Sequence, residues 1–162
     1  MIIQICPIKR LYQILAEGST GSCGAMISSA SEINAAKLRG IPYVFRQYED
    51  LDYECPGRSF STEDAKAFAD YIKGLADADT LYCCCDAGES RSPAVAAAVM
   101  RYFGLDDMQI WRNPHYHPNM LVFEMLANAL GCAVFDEEKD LRFYTNQKAF
   151  RDTIRKQSER RT

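Results

Sequence analysis

The sequence predicts an α/β domain, with a central, mostly parallel sheet flanked by helices. Short apolar or β-branched runs alternate along the chain with segments of helical periodicity. One run, "TLYCCC", is apolar throughout, which is typical of a central parallel strand. Because 162 residues suffice for one compact domain and are too few for two ordinary ones, we expect residues 1–162 to form a single domain.

The N-terminal half is predicted to supply three strands and two helices. "MIIQIC" is the first strand, Pro7 to Ala16 is a helix closed by Gly18, and "GAMISSA" and "PYVFRQYED" are the next two strands. The segment "STEDAKAFADYIKGLAD" is a second helix, because Ser61 can cap its N-terminus and Asp64, three residues later, can complete a capping box. Its inward face is predicted to consist of Ala65, Phe68, Ala69, Ile72 and Leu75.

A buried helix is predicted directly after the strand "TLYCCC" and the loop that follows it. Ser92 is a natural N-cap and Pro93 suits the first helical position, so the helix should run to about Phe103. Its sequence, "AVAAAVMRYF", is apolar on nearly every side, which indicates burial rather than an amphipathic surface position.

Two further helices are predicted near the C-terminus. The first begins near Pro118 and ends at Gly131, and its inward residues are Met120, Phe123, Leu126, Ala127 and Leu130. The second covers about 145–157 and leads into a basic tail, "RKQSERRT", which we interpret as a solvated helix end.

The composition is that of an ordinary soluble protein. The net charge of −3 gives no reason to expect a nucleic-acid partner, and no apolar run approaches the roughly 20 residues of a membrane span. The N-terminus lacks the order of a secretory signal, and the seven cysteines do not form a disulfide framework. We therefore expect a cytoplasmic protein without a membrane or nucleic-acid partner.

The loop "CDAGESR" carries the candidate chemistry, because ligands of such sheets bind at the carboxyl ends of the strands. Converging N–H groups followed by a helix N-terminus form a concave anion site, which fits a phosphoryl group. The same field lowers the pKa of a thiol at its base, so Cys85 should be a thiolate. Arg91 can hold two phosphate oxygens at once, and Gly88 allows the tight turn.

These residues resemble the cysteine-dependent protein tyrosine phosphatases, and among them the compact dual-specificity type. The signature of that family is a histidine, the nucleophilic cysteine, five residues and an arginine, usually followed by serine or threonine. Here it stands as Cys84, Cys85, "DAGES", Arg91 and Ser92, and "HPNMLVFEMLANAL" is also similar to small microbial members. The resemblance is best from about Pro42 to Val99 and implies a phosphotyrosine protein phosphatase-like fold.

The resemblance implies hydrolysis of phosphotyrosine, and also of phosphoserine or phosphothreonine, in protein substrates through a phosphocysteine intermediate. Cys85 would attack phosphorus, Arg91 would hold the phosphoryl oxygens, and Ser92 would assist departure of the sulfur. The phosphate would lie in a loop formed by Asp86, Ala87, Gly88, Glu89, Ser90 and Arg91. No metal or other cofactor is expected, because arginine and backbone donors already neutralise the phosphoryl charge.

The general acid should be an aspartate on a loop that follows a strand, a few tens of residues before the cysteine, if the resemblance holds. "QYEDLDYE" offers Asp50 and Asp52, which lie 35 and 33 residues before Cys85. We prefer Asp50, since it is the first aspartate beyond the strand, and keep Asp52 as the alternative. Glu49 is the weaker third choice because it should still lie within the strand.

The neighbouring cysteines allow several interpretations. Cys83 should point to the same side of the strand as Cys85 and serve packing, while Cys84 points to the other side. Cys84 stands where the resemblance expects histidine, and a thiol is only a weak hydrogen-bond donor. A protective disulfide between Cys85 and either Cys84 or Cys55 is a further hypothesis. A zinc site is not favoured, because adjacent cysteines lack the spacing of a zinc knuckle.

Other features and other functions remain open at this level. His115 and His117 have the spacing of a metal pair but no carboxylate or cysteine nearby, so we interpret them as surface loop residues. The aromatic residues Tyr43, Phe45 and Tyr48 are interpreted as strand core. The alternatives to a protein phosphatase are a phosphatase for an inositol lipid, a nucleotide or an RNA end, and a phosphate-binding module without turnover.

Overall fold

Four parallel strands form the single sheet of the computed structural model, which describes residues 1–18, 21–75 and 77–160. Their order in the sheet is β1-β4-β2-β3, with β1 at Ile2–Pro7, β2 at Cys23–Ser29, β3 at Tyr43–Gln47 and β4 at Thr80–Cys85. The predicted α/β class with a parallel sheet is confirmed. Ala76 of the predicted second helix and Arg161 of the basic tail lie outside the described residues.

The helices cover both faces of this sheet. They are α1 at Ile8–Glu17, α2 at Thr62–Gly74, α3 at Arg91–Tyr102, α4 at Met108–Trp111, α5 at Met120–Ala129 and α6 at Asp136–Glu159, with a 3-10 helix at Ala35–Leu38. The apolar residues of α1 and of the 3-10 helix pack on one face, and those of α2, α3 and α5 pack on the other. None of the described helices combines the length and apolar character that a bilayer span requires.

The register of β4 places the candidate loop at the centre of the sheet edge. β4 lies between β1 and β2, and its last residue, Cys85, pairs with Pro7. Side chains alternate along the strand as predicted, because Cys83 joins the core beneath α2 and α3 whereas Cys84 joins the core beneath α1. All five residues from 81 to 85 are buried, as expected for a central parallel strand.

The predicted capping of α2 is confirmed. The Ser61 hydroxyl accepts a hydrogen bond from the Asp64 N–H at 3.2 Å, and the Asp64 carboxylate accepts one from the Ser61 N–H at 3.0 Å. The helix ends at Gly74, so Leu75 is its C-cap rather than a helical residue. Four of the predicted inward residues are buried: Ala65, Phe68, Ala69 and Ile72.

The start of α3 differs from the prediction that Ser92 is the N-cap. The helix begins at Arg91 with Ser90 as its N-cap, so Pro93 is the third helical residue. A proline is tolerated there because N–H groups of a first helical turn have no partner within the helix. The hydroxyl of Ser92 therefore does not cap the helix and forms a hydrogen bond with the sulfur of Cys85 instead.

Two other boundaries were predicted wrongly. The third strand ends at Gln47, and Glu49 lies outside it, because its N–H donates to the Arg58 carbonyl in the following loop. The last helix begins at Asp136, nine residues before the predicted start at Thr145. Its first turn is stabilised by three acidic residues, since carboxylates favour a helix N-terminus.

Candidate active site

The sulfur of Cys85 lies at the carboxyl end of β4 and receives hydrogen-bond donors from the loop that follows. The N–H of Gly88 donates to Cys85 Sγ at 3.2 Å, and the Ser92 hydroxyl lies 3.1 Å from the same atom. Cys85 is buried, with 2% of its surface exposed. The loop and the first turn of α3 therefore place hydrogen-bonding groups directly against this buried sulfur.

Gly88 is required at its position for two physical reasons. Its φ of +78° lies in the left-handed region that favours glycine. A Cβ atom on this residue would also lie 2.9 Å from the nitrogen of Pro7 and 3.0 Å from the carbonyl carbon of Cys6. The end of β1 therefore forms a wall against which the loop is folded.

Arg91 is held in place by the ends of two other strands. Its Nη1 donates to the Tyr48 carbonyl at 2.9 Å, its Nη2 pairs with the Asp86 carboxylate at 2.5 Å, and its guanidinium carbon lies 5.9 Å from the Tyr48 ring centroid. The residue is only 6% exposed. Its Nε is the one buried side-chain nitrogen or oxygen atom without a hydrogen-bond partner in the described part of the chain. A buried donor without a partner is unusual in a folded protein, because leaving it unpaired costs free energy.

Asp86 links the loop to the end of β2. Its carboxylate accepts hydrogen bonds from the Ser29 hydroxyl at 2.6 Å and from the Ala30 N–H at 3.3 Å, in addition to Arg91. Partial burial opposes ionisation of this carboxyl group, but the donors of Ser29, Arg91 and Ala30 outweigh it and lower the pKa of Asp86 from its ordinary value. Asp86 is therefore an anion that fixes the direction of the arginine.

Asp50 is the predicted acid that the structure brings to the loop. Its Oδ1 accepts hydrogen bonds from the Ser90 hydroxyl at 2.9 Å and from Asn119 Nδ2 at 2.8 Å. Asp52 is exposed and makes no hydrogen bond or ion pair with the described residues. Glu49 pairs with Arg58 through both carboxylate oxygens, at 2.8 and 2.7 Å. The geometry thus favours Asp50 over both alternatives.

Asn119 is a site residue that the sequence interpretation missed. Besides contacting Asp50, its side chain donates to the Leu51 carbonyl at 3.0 Å and accepts from the Val122 N–H as the N-cap of α5. Its backbone N–H donates to the carbonyl of Ser90 at 3.3 Å. The pair "PN" before a helix signals a cap, but only the fold shows that this cap also binds the acidic loop.

The sulfur of Cys84 contacts Cys6 on the neighbouring strand, at an Sγ–Sγ distance of 3.5 Å. The described contacts of the Cys85 sulfur are to Gly88 and Ser92, and all seven cysteines are free thiols. The hydrogen bond with Cys6, together with burial, raises the pKa of Cys84 well above its ordinary value. Cys84 therefore does not replace histidine as a donor to the loop backbone.

The remaining candidate residues occupy supporting positions. Cys83 is fully buried in the core, and burial raises the pKa of its thiol. The side chains of His115 and His117 are exposed, and the His117 N–H donates to the Glu89 carbonyl of the loop at 2.8 Å. Tyr48 belongs to the core, but it lies just beyond β3 and its carbonyl also binds the arginine.

The chain is similar in structure to two crystallised proteins, although no protein-family model matches it and no curated sequence is close enough to count as a relative. The crystal structure of PTPMT1 in complex with PI(5)P matches with a TM-score of 0.53 at 14% identity, covering 87% of this chain and 94% of that chain. The Yvh1 phosphatase domain from Chaetomium thermophilum matches with a TM-score of 0.51 at 14% identity, covering 80% and 92%.

These matches cover most of each chain at a low sequence identity, so they establish the architecture. The fold expected from the resemblance is confirmed. The chain shares its fold with PTPMT1 and with the Yvh1 phosphatase domain.

Proposed function

We propose that this chain is a phosphatase that hydrolyses phosphotyrosine in proteins, with phosphoserine and phosphothreonine as further substrates, through a phosphocysteine intermediate. The observation that carries the proposal is the buried, unpartnered Nε of Arg91 beside a loop in which the Gly88 N–H donates to the sulfur of Cys85. A phosphoryl oxygen supplies the missing acceptor, and the loop N–H groups supply further donors.

In the first step, the Cys85 thiolate attacks phosphorus and the bond to the leaving oxygen breaks. Asp50 gives its proton to that oxygen, which departs as an alcohol or a phenol. Both donors of Asp50 bind Oδ1, so Oδ2 is the atom available to carry the proton. Arg91 stabilises the charge on the transferred group, because its guanidinium is already fixed by Asp86 and Tyr48.

In the second step, water attacks the phosphocysteine and the bond between phosphorus and sulfur breaks. Asp50, now a carboxylate, accepts the proton of the water molecule. The Ser92 hydroxyl lies 3.1 Å from the sulfur and donates to it as negative charge develops. Phosphate leaves, and the Cys85 thiolate is regenerated.

The charges around the loop support a phosphoprotein over a more highly charged substrate. The loop contains no lysine, its Asp86 carboxylate already pairs with the arginine, and Glu89 is exposed. A cavity of about 310 Å³ lies beside the loop and is lined by Ala30, Gln47, Tyr48, Glu49, Gly57 and Arg58. It offers space for a residue that flanks the phosphorylated side chain.

The partner would therefore be a phosphorylated protein, met in the cytoplasm by a single catalytic domain of residues 1–162. No nucleic acid, membrane, metal or other cofactor takes part in the reaction as we propose it. The alternative favoured by a specific observation is a phosphoinositide phosphatase, because PTPMT1, which shares the fold, was crystallised with PI(5)P.

Hydrolysis of p-nitrophenyl phosphate between pH 5 and 8 distinguishes an enzyme from a phosphate-binding module without turnover. Wild-type protein should turn over the ester, Cys85→Ser should abolish turnover, and Arg91→Ala should reduce it sharply. Cys83→Ser is the matched control, since it removes a buried thiol of the same strand that faces the core. Absence of turnover in the wild-type protein would refute the enzymatic function.

The substrate class is tested by comparing kcat/KM for a phosphotyrosine peptide, a phosphoserine peptide and soluble PI(5)P. We expect the phosphotyrosine peptide to be preferred, with slower turnover of phosphoserine. A higher kcat/KM for PI(5)P would assign the chain to lipid phosphates instead.

A further inference from the structure

Two cysteines outside the reaction lie against each other directly behind the phosphate-binding loop. Cys6 on β1 pairs in register with Cys84 on β4, and their sulfur atoms are 3.5 Å apart. Neighbouring strands are about 4.8 Å apart, so the Cα separation falls in the range that disulfides span. Neither residue has a role in the proposed transfer of the phosphoryl group.

The two thiols differ in a way that suits stepwise oxidation. Cys6 is half-buried and reachable from solvent, whereas Cys84 is 1% exposed. The hydrogen bond from Cys84 lowers the pKa of Cys6, and the nearby Arg10 acts in the same direction against the effect of burial. A more exposed thiolate next to a buried thiol is the usual arrangement of an attacking and a resolving cysteine.

We propose that Cys6 and Cys84 are an oxidation site at which hydrogen peroxide forms a reversible disulfide between β1 and β4. The Cys6 thiolate attacks one peroxide oxygen and the O–O bond breaks. Hydroxide departs, and Cys6 becomes a sulfenic acid. Cys84 then attacks that sulfur, the S–O bond breaks, and the thiol proton converts the departing hydroxide to water. Two thiols lose two electrons in total, and one peroxide becomes two water molecules.

The nucleophile is not a member of this disulfide. Successive side chains of a strand point to opposite faces, and Cys84 points into the core beneath α1. The sulfur of Cys85 is instead bound by Gly88 and Ser92. The disulfide proposed here therefore differs from the hypothesised pairing of Cys85 with Cys84 or Cys55.

Formation of the disulfide should disturb the phosphate loop. The sulfur atoms must approach from 3.5 Å to the roughly 2.05 Å of an S–S bond. The Cys6–Pro7 backbone forms the wall behind Gly88, where there is no room even for a Cβ atom. Movement of this wall displaces Gly88, so the oxidised protein should bind phosphate several-fold more weakly. This second effect rests on the proposed phosphate site, whereas the disulfide itself does not.

The disulfide is tested by peptide mapping of the Cys85→Ser variant after peroxide treatment, blocking of free thiols and tryptic digestion without reductant. Cleavage gives residues 1–9, which contain Cys6 alone, and residues 74–91, which in this variant contain Cys83 and Cys84 but not the nucleophile. We expect a linked pair of these peptides that dithiothreitol separates. Adding Cys84→Ser should abolish the link, and adding Cys83→Ser should leave it. Absence of the link, or its persistence without Cys84, would overturn the proposal.

Two further measurements test the disulfide without the Cys85→Ser variant and separate it from the proposed phosphate site. The same map of wild-type protein, with the linked cysteine identified by fragmentation, does not depend on the folding of Cys85→Ser. Calorimetric titration of reduced and oxidised Cys85→Ser with inorganic phosphate measures the affinity of the loop for phosphate in each state. Equal affinities would overturn the coupling to the loop, and binding by neither form would refute the phosphate site while leaving the peptide map decisive for the disulfide.

Discussion

Replacing Gly88 with alanine tests whether the end of β1 shapes the phosphate loop. The substitution places a Cβ on a residue with φ of +78°, which costs about 1–2 kcal/mol for an L-residue. The same Cβ would lie 2.9 Å from Pro7 N and 3.0 Å from the Cys6 carbonyl carbon, and overpacking against backbone adds roughly 1–3 kcal/mol. We therefore expect a loss of about 2–5 kcal/mol in the free energy of unfolding.

Gly131→Ala is the matched control for this measurement. Gly131 has a φ of +81°, but a Cβ there would meet nothing within 4 Å, so only the backbone strain of about 1–2 kcal/mol applies. Urea unfolding followed by circular dichroism gives both values. Equal losses in the two variants would show that β1 does not press on the loop. Gly88→Ala should also lower phosphatase activity, since the N–H of this residue binds the nucleophilic sulfur.

Other side chains around the site and in the core give three further predictions. Asp50→Ala should slow hydrolysis of an ester with a poor leaving group by about 10²–10⁴-fold. Asp52→Ala, the exposed control, should leave the rate unchanged. Similar losses of rate in the two variants, measured by steady-state kinetics, would refute the assignment of the acid. Arg142→Ala should lower the unfolding free energy by about 3–5 kcal/mol, because it leaves the Asp107 carboxylate buried without its ion pair; a loss below about 1 kcal/mol in urea would contradict this. The pKa of Asp86 is lowered in the folded state, so the Asp86 carboxylate stabilises the protein above the ordinary value of 3.8, and this effect is lost as the pH falls through the lowered pKa. The difference in unfolding free energy between wild type and Asp86→Asn should therefore shrink in acid. A difference that persists far below pH 3.8 would contradict the linkage.

The elements with a strong local signal could be predicted from the sequence. β4 lies at 80–85 as predicted, because a continuous apolar run is distinctive for a central parallel strand. The Ser61 cap and the buried face of α2 were also predicted, since both depend on residues close in sequence. Cys85 ends β4 and Arg91 begins α3, so the sequence also located the candidate loop, while the catalytic roles of the two residues stay predictions.

The errors arose where tertiary contacts outweigh local preference. Ser92 looks like an N-cap, but its hydroxyl is engaged by the Cys85 sulfur and the helix begins one residue earlier. The last helix was predicted too short because its first two turns lack a buried apolar face, and Leu141 and Phe143 are exposed there. Asn119 could not be predicted as a site residue, because its contact with Asp50 joins positions 69 residues apart.

The three consecutive cysteines show how one strand separates chemically identical side chains. Cys83 faces the large core and is fully buried, so its thiol has no partner that would stabilise a charge. Cys84 faces the opposite core and meets the sulfur of Cys6. Cys85 ends the strand, and the Gly88 N–H of the following loop donates to its sulfur. The reactivity proposed for this segment therefore depends on the pleat of β4 and on the residue at which the strand ends. Cys84, at the position where the resemblance expects histidine, contacts β1 instead.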